Sequence, residues 1–577
     1  MPNKTKYICL VGILIIAGFF RFYHLTTTPP GLYMDEAMDG VNAQNVAQTG
    51  QFKVYYPEDN GREGLYVNIL AVAFKYHLLP DTAPWSVRFP AAVAGTLTVL
   101  GVYLLVSELF SESRKSKVES RKEDSESATS PSSTFNFTLS TFNSSIALLS
   151  AFLLATSFWH INFSRIGFRA ILAPFCLVWA CWFLLKAIRA VGGKRAAIYA
   201  ILGGIIFGAG FYTYIAFRIM PLLLLLFVPF FRKYPGFWKR AILFLFVTFL
   251  VALPIGWYYL HNPADFLGRT SQISVTSSAS PIATIAMNTV QTALMFNWRG
   301  DGNWRHNFSG APELFWTVGI LFLIGLMLSV YYLFKKTKVP PLSKGRWRSF
   351  ASPVGSLEEN VCKPSISFSL PTVGGVPSGQ TEEPPLTPPW KGGGADSIFG
   401  ILFLWLWFLL AALPEILSND GIPHALRSLL MVIPAVAFAA IGGVWLYAWF
   451  RAHWKPIFIK TLAVIFFLAV AVGAYSEYFV SWAGNPNVPG SFNAGYVAIG
   501  EQINALPSST QKYVVIYAGG VIDYGLPMPA EPVLYVTHSF VPDAAAQKFV
   551  NNIHYLLPDE TSQIPTGTPS NTIFEIR

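Results

Sequence analysis

Three carboxylates, Asp35, Glu36 and Asp39, stand within Gly31-Leu32-Tyr33-Met34-Asp35-Glu36-Ala37-Met38-Asp39-Gly40, just after the first long apolar run. Further polar groups recur at the ends of later apolar runs: Glu63, Arg88, Arg165, Arg169, Tyr214, Arg218, His424 and Arg427. A carboxylate in such a place can accept the proton of an attacking hydroxyl. Arginine presents a planar fork of donors that matches phosphate oxygens. A departing phosphate is weakly basic, so it needs stabilisation of charge and not a proton donor. Several cations and a few acids at the ends of apolar segments therefore fit an anionic, membrane-borne substrate, and a phosphate esterified to a lipid is the first candidate. One base, several cations and a lipid phosphate together describe glycosyl transfer from a lipid-linked sugar.

The elements that must position these groups follow from composition. Of 577 residues, 53% are hydrophobic and only 12% charged, with a mean hydropathy of +0.44, too apolar for an ordinary soluble domain. Apolar runs of about 18 residues, each ended by charge or proline, predict a mainly α, polytopic membrane protein. About eleven spanning helices are expected, at roughly 7–24, 88–109, 144–160, 170–187, 196–214, 218–232, 241–260, 313–334, 398–415, 425–450 and 457–480. The first run ends on Arg21-Phe22-Tyr23-His24 with no small-residue cleavage site, so it reads as a retained helix.

Basic residues test the map. Arg114, Lys115 and Lys117, then Lys186 and Arg189, Arg232 and Lys233, Lys335 and Lys336, and Arg451 and Lys455 all fall on the side of the N-terminus. That side is expected to be the cytoplasm, and the arrangement accounts for most of the net charge of +10 without nucleic acid. The loop 25–87, and with it the acidic knot, then lies outside a cytoplasmic membrane, together with 261–312 and everything after about 480. The cysteines suggest no disulfide framework.

Residues 1–480 read as one transmembrane catalytic module, interrupted by two cytoplasmic spacers. Residues 111–143 are rich in Ser, Lys and Glu, and 339–396 in Pro, Gly and Ser; neither could bury a core. Residues 481–577 predict a small extracytoplasmic α/β domain, with strands near Tyr513–Tyr517, Val533–Val536 and Thr572–Ile576 and an amphipathic helix over Ala544–Leu557.

The ordered set of motifs resembles the GT-C glycosyltransferases, in the family 39 group of protein O-mannosyltransferases and lipid A aminoarabinose transferases. The resemblance covers roughly 1–480 outside the spacers. It rests on Asp35-Glu36, Gly61-Arg62-Glu63-Gly64-Leu65-Tyr66, Arg88-Phe89-Pro90, Ser164-Arg165 with Arg169, Tyr214 with Arg218-Ile219-Met220-Pro221, and His424-Ala425-Leu426-Arg427. The chain has Glu63-Gly64 where the aminoarabinose transferases carry a Pro-Pro pair. The resemblance implies a polyprenyl-phosphate-linked sugar donor and an inverting transfer to a protein, lipid or glycan acceptor, with an acid of the first outer loop as base. That role falls on Asp35, with Glu36 beside it.

Plainer roles compete. Asp35 follows Pro29-Pro30-Gly31 and would serve as a helix N-cap. Asp39, one turn on, reads as a solvated bystander. Glu63 could form only a surface ion pair with Arg62, and the arginines could reach lipid headgroups. Five arginines on the side where positive charge is disfavoured nevertheless ask for a reason, and phosphate contact by at least two of Arg88, Arg165, Arg169, Arg218 and Arg427 is expected. His424 is a further candidate beside the phosphate. No cofactor is called for: three near carboxylates could take a divalent ion, but no ligand spacing demands one. A transporter of lipid-linked sugars would instead place its ionisable groups deep within helices, with repeat symmetry between halves. An inactive receptor that binds cell-wall components through the C-terminal region is a third reading.

Overall fold

A computed structural model describes residues 3–58, 61–111, 139–272, 274–337, 395–541, 549–550, 552–565 and 571–577. The two spacers therefore lie almost wholly outside the described residues.

Among the described residues, eight helices are long and apolar enough to cross a membrane: Lys4–Phe22, Pro84–Leu109, Arg169–Arg189, Phe237–His261, Trp316–Lys335, Ser397–Ile416, Leu429–His453 and Pro456–Trp482. A ninth is formed if Asn143–Thr156 and Phe158–Arg165, bent by 57° at Ser157, act as one span. The chain is a multi-pass membrane protein. Two of the eleven expected spans fall short for separate reasons. The helix Gly193–Gly210 opens on Lys194 and Arg195 and is rich in glycine. The segment 218–232 breaks into the short helices Ile215–Ile219, Pro221–Leu224 and Phe227–Phe231, with Pro221 and Pro229 interrupting its backbone bonding.

The first long loop is built, not slack. Its helix Met34–Thr49 buries residues from Glu36 to Gly40 and onward to Val46, which only Gln44, Asn42 and the two acids make polar. A short antiparallel pair, Tyr55–Tyr56 with Arg62–Glu63, follows, with Tyr55 opposite Glu63. The helix Leu65–Lys75 then buries Tyr66, Val67, Leu70, Ala71, Ala73 and Phe74 ahead of the span that opens at Pro84.

The C-terminal region is α/β. The strand Gln511–Ile516 lies between Ile553–Leu556 and Asn571–Ile576 and is parallel to both, while Phe549–Val550 pairs antiparallel at the edge. The strands expected at 513–517 and 572–576 are present. Val533–Val536 is instead inside the helix Glu531–Thr537, buried on all sides from Glu531 to Val536. A continuous apolar run carries no periodicity to separate helix from strand. The expected helix over 544–557 is also corrected: its described part is a hairpin, turned at Asn552 with φ +60°.

This region seats on the first loop. The Gln44 amide donates to the Tyr535 carbonyl at 3.0 Å, and the Tyr535 hydroxyl donates to the Ala83 carbonyl at 3.0 Å. Gly31, at φ +72°, lies so close to Phe492 that a Cβ there would stand 2.4 Å from the Phe492 carbonyl oxygen.

Candidate functional site

The helix expected to open at the acidic knot is present, and its capping differs from the expectation. Tyr33 is the N-cap residue, and the side chain that reaches back to its backbone N–H is Glu36, at 3.1 Å. Asp35 sits in the first turn, where the exposed N–H groups favour negative charge. It is partly exposed, and among the described residues no donor engages its carboxylate, although its carbonyl accepts from Arg62 at 3.0 Å.

Glu36 is a different kind of acid. It is fully buried and accepts from Arg88 Nε at 2.8 Å, Arg88 Nη2 at 3.1 Å, the Tyr33 N–H and the Gly167 N–H at 2.7 Å. Arg88 is spent likewise, donating also to the carbonyls of Pro29 and Gly31 at 2.5 and 2.8 Å. This pair fixes the approach of the chain to Asp35.

Asp39 is not solvated. It is 2% exposed and paired with Arg62 at 2.9 Å. Burial lifts its carboxyl above the ordinary range, while Arg62 and Arg169 pull the other way. Since Arg62 belongs to Asp39, Glu63 takes other partners. It is buried and meets Arg169 at 3.1 Å and Arg218 at 3.4 Å. Arg218 also donates to the Tyr259 hydroxyl and the Phe266 carbonyl, and lies over both rings. Two cations from separate elements thus share one acid, leaving net positive charge.

The other arginines serve the chain. Arg165 is buried, donates to the Phe20 and Thr28 carbonyls at 2.9 and 2.8 Å, and rests over the Tyr478 and Phe479 rings. Arg427 ties its own turn to Ser418 and Asp420. Tyr214 packs into the apolar core, with its carbonyl accepting from Phe217 at 2.9 Å.

One cation packed on the acid-bearing turn escaped sequence reasoning. The Arg305 guanidinium stacks on the ring of Tyr33, 3.7 Å from its centroid, and Tyr33 precedes Asp35 by two positions in the chain. Its Nε makes a long 3.4 Å bond to Asn303, and its terminal nitrogens have no protein partner among the described residues. Burial pulls it down to about 10, so it is charged at neutral pH. Two successive turns place it: the Asn303 N–H donates to Asp301 and the Arg305 N–H donates to the Asn303 side chain, at 2.8 and 3.0 Å. The signal was available in Asp301-Gly302-Asn303-Trp304-Arg305-His306-Asn307, a polar run between apolar segments.

His424 lies at the turn after Ser397–Ile416. It joins Asp301 and His306 in a cluster whose possible ligand atoms all lie within 4.8 Å of one another. The cluster is adjacent to the acid-bearing turn, since Phe168 contacts both the Tyr33 ring and the His306 ring, at centroid distances of 5.9 and 6.4 Å.

No family model matches the sequence, and no curated protein matches it. Among solved structures, the chain is similar to the oligosaccharyltransferase of Archaeoglobus fulgidus in its apo form. That alignment has 14% identity and a TM-score of 0.52, and covers 92% of this chain and 64% of the other. The chain thus spans less than two thirds of that protein's length. It is also similar to ArnT from Cupriavidus metallidurans bound to undecaprenyl phosphate, with 11% identity, a TM-score of 0.48 and coverage of 100% and 90%. At that identity the likeness is one of fold alone.

Proposed function

We propose that the protein is a membrane glycosyltransferase of the GT-C type, similar to family 39, that moves a sugar from a polyprenyl phosphate to a hydroxyl outside the cytoplasm, with inversion. The N-terminus is cytoplasmic in this reading, and the first loop and C-terminal region face out. The observation that carries it is the carboxylate of Asp35, unengaged among the described residues on a helix turn whose other acids are paired, with the Arg305 guanidinium stacked on the Tyr33 ring of that turn, within this fold.

In the reaction, the acceptor oxygen attacks the anomeric carbon from the face opposite the phosphate. Asp35 takes the hydroxyl proton as the new C–O bond forms. The bond from the anomeric carbon to the phosphate oxygen breaks, and its electron pair stays with polyprenyl phosphate. Arg305 meets the growing charge on that phosphate, and Arg169 and Arg218 add to the local positive field. Glu36 and Arg88 position Asp35 and do not touch the reacting atoms. The acceptor is a protein, lipid or glycan hydroxyl.

The test is release of polyprenyl phosphate by the purified protein from polyprenyl-phosphate-linked sugars. Asp35→Asn should abolish release while leaving donor binding within a few-fold. Release at the parental rate would refute the base assignment. Donor translocation across liposomes without any release would replace the enzyme with a transporter.

A further inference from the structure

We infer that Asp301, His306 and His424 form a binding site for one transition-metal ion of the zinc class, separate from the acids of the first loop. His306 Nδ1 lies 3.0 Å and His424 Nδ1 3.9 Å from the same oxygen, Asp301 Oδ2. A tetrahedral ion with bonds of about 2.0–2.1 Å separates its ligand atoms by roughly 3.4 Å. Movements of a few tenths of an ångström bring each nitrogen to that spacing from the Asp301 oxygen, and all three ligand atoms lie within 4.8 Å of one another. The two imidazole rings face each other, with centroids 4.7 Å apart and planes 40° apart.

Asp301 and the backbone of His424 are already held from behind. Asp301 Oδ2 accepts the Ala425 N–H at 2.9 Å, and Oδ1 accepts the Asn303 N–H. The Asp301 N–H donates to Glu313 at 3.0 Å, and the His424 N–H donates to Glu415 at 2.6 Å. Such outer contacts fix ligand orientation at metal centres. They also gather three buried carboxylates, Asp301, Glu313 and Glu415, within one another's electrostatic field. Arg427, which acts on Glu415, is already tied to the 418–420 turn. A bound dication offsets that concentration of negative charge.

Two imidazoles and one carboxylate select zinc, copper or nickel over magnesium or calcium. Three protein ligands leave a position for water or a substrate oxygen. The ion clasps the loop carrying Arg305 to the turn after Ser397–Ile416. The inference rests on this geometry and not on glycosyl transfer, so its failure leaves that reading intact.

The full-length protein, purified without a histidine tag and stripped with chelator, is dialysed against Zn2+, and metal per chain is measured by mass spectrometry. About one equivalent should be retained. His306→Gln and His424→Gln should weaken retention at least tenfold, and His453→Gln, on a distant helix end, should not. No retention, or equal retention in all three variants, overturns the site. If the variants misfold, spin-echo modulation of the Cu2+-loaded parent protein counts coordinated imidazoles. Two support the site, and fewer overturn it.

Discussion

Replacing Glu36 separates a positioning role from a catalytic one. The carboxylate is fully buried and receives four donors, two from Arg88 and two from the backbone at Tyr33 and Gly167. Glu36→Ala therefore strands the guanidinium of Arg88, itself 1% exposed. Breaking a buried pair from one side costs about 3–5 kcal/mol. Arg88→Leu strands the carboxylate with only its two backbone donors and should cost a similar amount. The double variant Glu36→Leu/Arg88→Leu leaves no buried charge, so its loss should fall short of the sum of the two singles by about 2–3 kcal/mol. Unfolding by SDS titration in bicelles measures all three. Activity gives a second readout. Displacing the Asp35 turn by about 1 Å lowers kcat on the order of a hundredfold, yet the acidic limb of the pH profile should persist in Glu36→Gln, because the base is intact. Additive stability losses, or disappearance of that limb, would refute the reasoning.

Two further variants probe neighbouring features. Arg305→Ala should lower kcat/KM for the lipid-linked donor roughly 10- to 150-fold, the worth of one charge-assisted hydrogen bond of about 1.5–3 kcal/mol, while Arg305→Lys should recover part of it. In the parental protein, kcat/KM should fall as pH rises past about 10, where burial brings the free Arg305 guanidinium. Both are read from initial rates of polyprenyl phosphate release. A Cβ at Gly40 would stand 2.6 Å from the Tyr535 ring, so Gly40→Leu should push the C-terminal region off its seat at a cost of about 1–3 kcal/mol. Limited proteolysis should then release a C-terminal fragment faster than from the parental chain.

Long apolar spans were legible because twenty apolar residues in sequence have few alternatives. The expected spans at 196–214 and 218–232 were overcounted, since charge and proline shorten a run without erasing its apolar average. Asp35 could be singled out from its place after the first span. Which acids are engaged could not be read, because sequence separation does not pair an acid with an arginine, and only the fold assigns Asp39 to Arg62 and Glu36 to the more distant Arg88. Arg305 and His306 were missed for a related reason. Their neighbours Tyr33, Phe168 and His424 come from distant parts of the chain, and no local periodicity announces such a meeting.

Arg88 links two distant parts of the chain: it holds Glu36 and grips the backbone at Pro29 and Gly31, and it lies over the ring of Phe492, 5.9 Å from its centroid. Residues 29–49 are made well before Phe492 and Tyr535. The turn bearing Asp35 therefore acquires its final surroundings only after the segment carrying those two rings has been made. A chain truncated before Phe492, even with its membrane helices inserted, would lack the surface against which that turn is set.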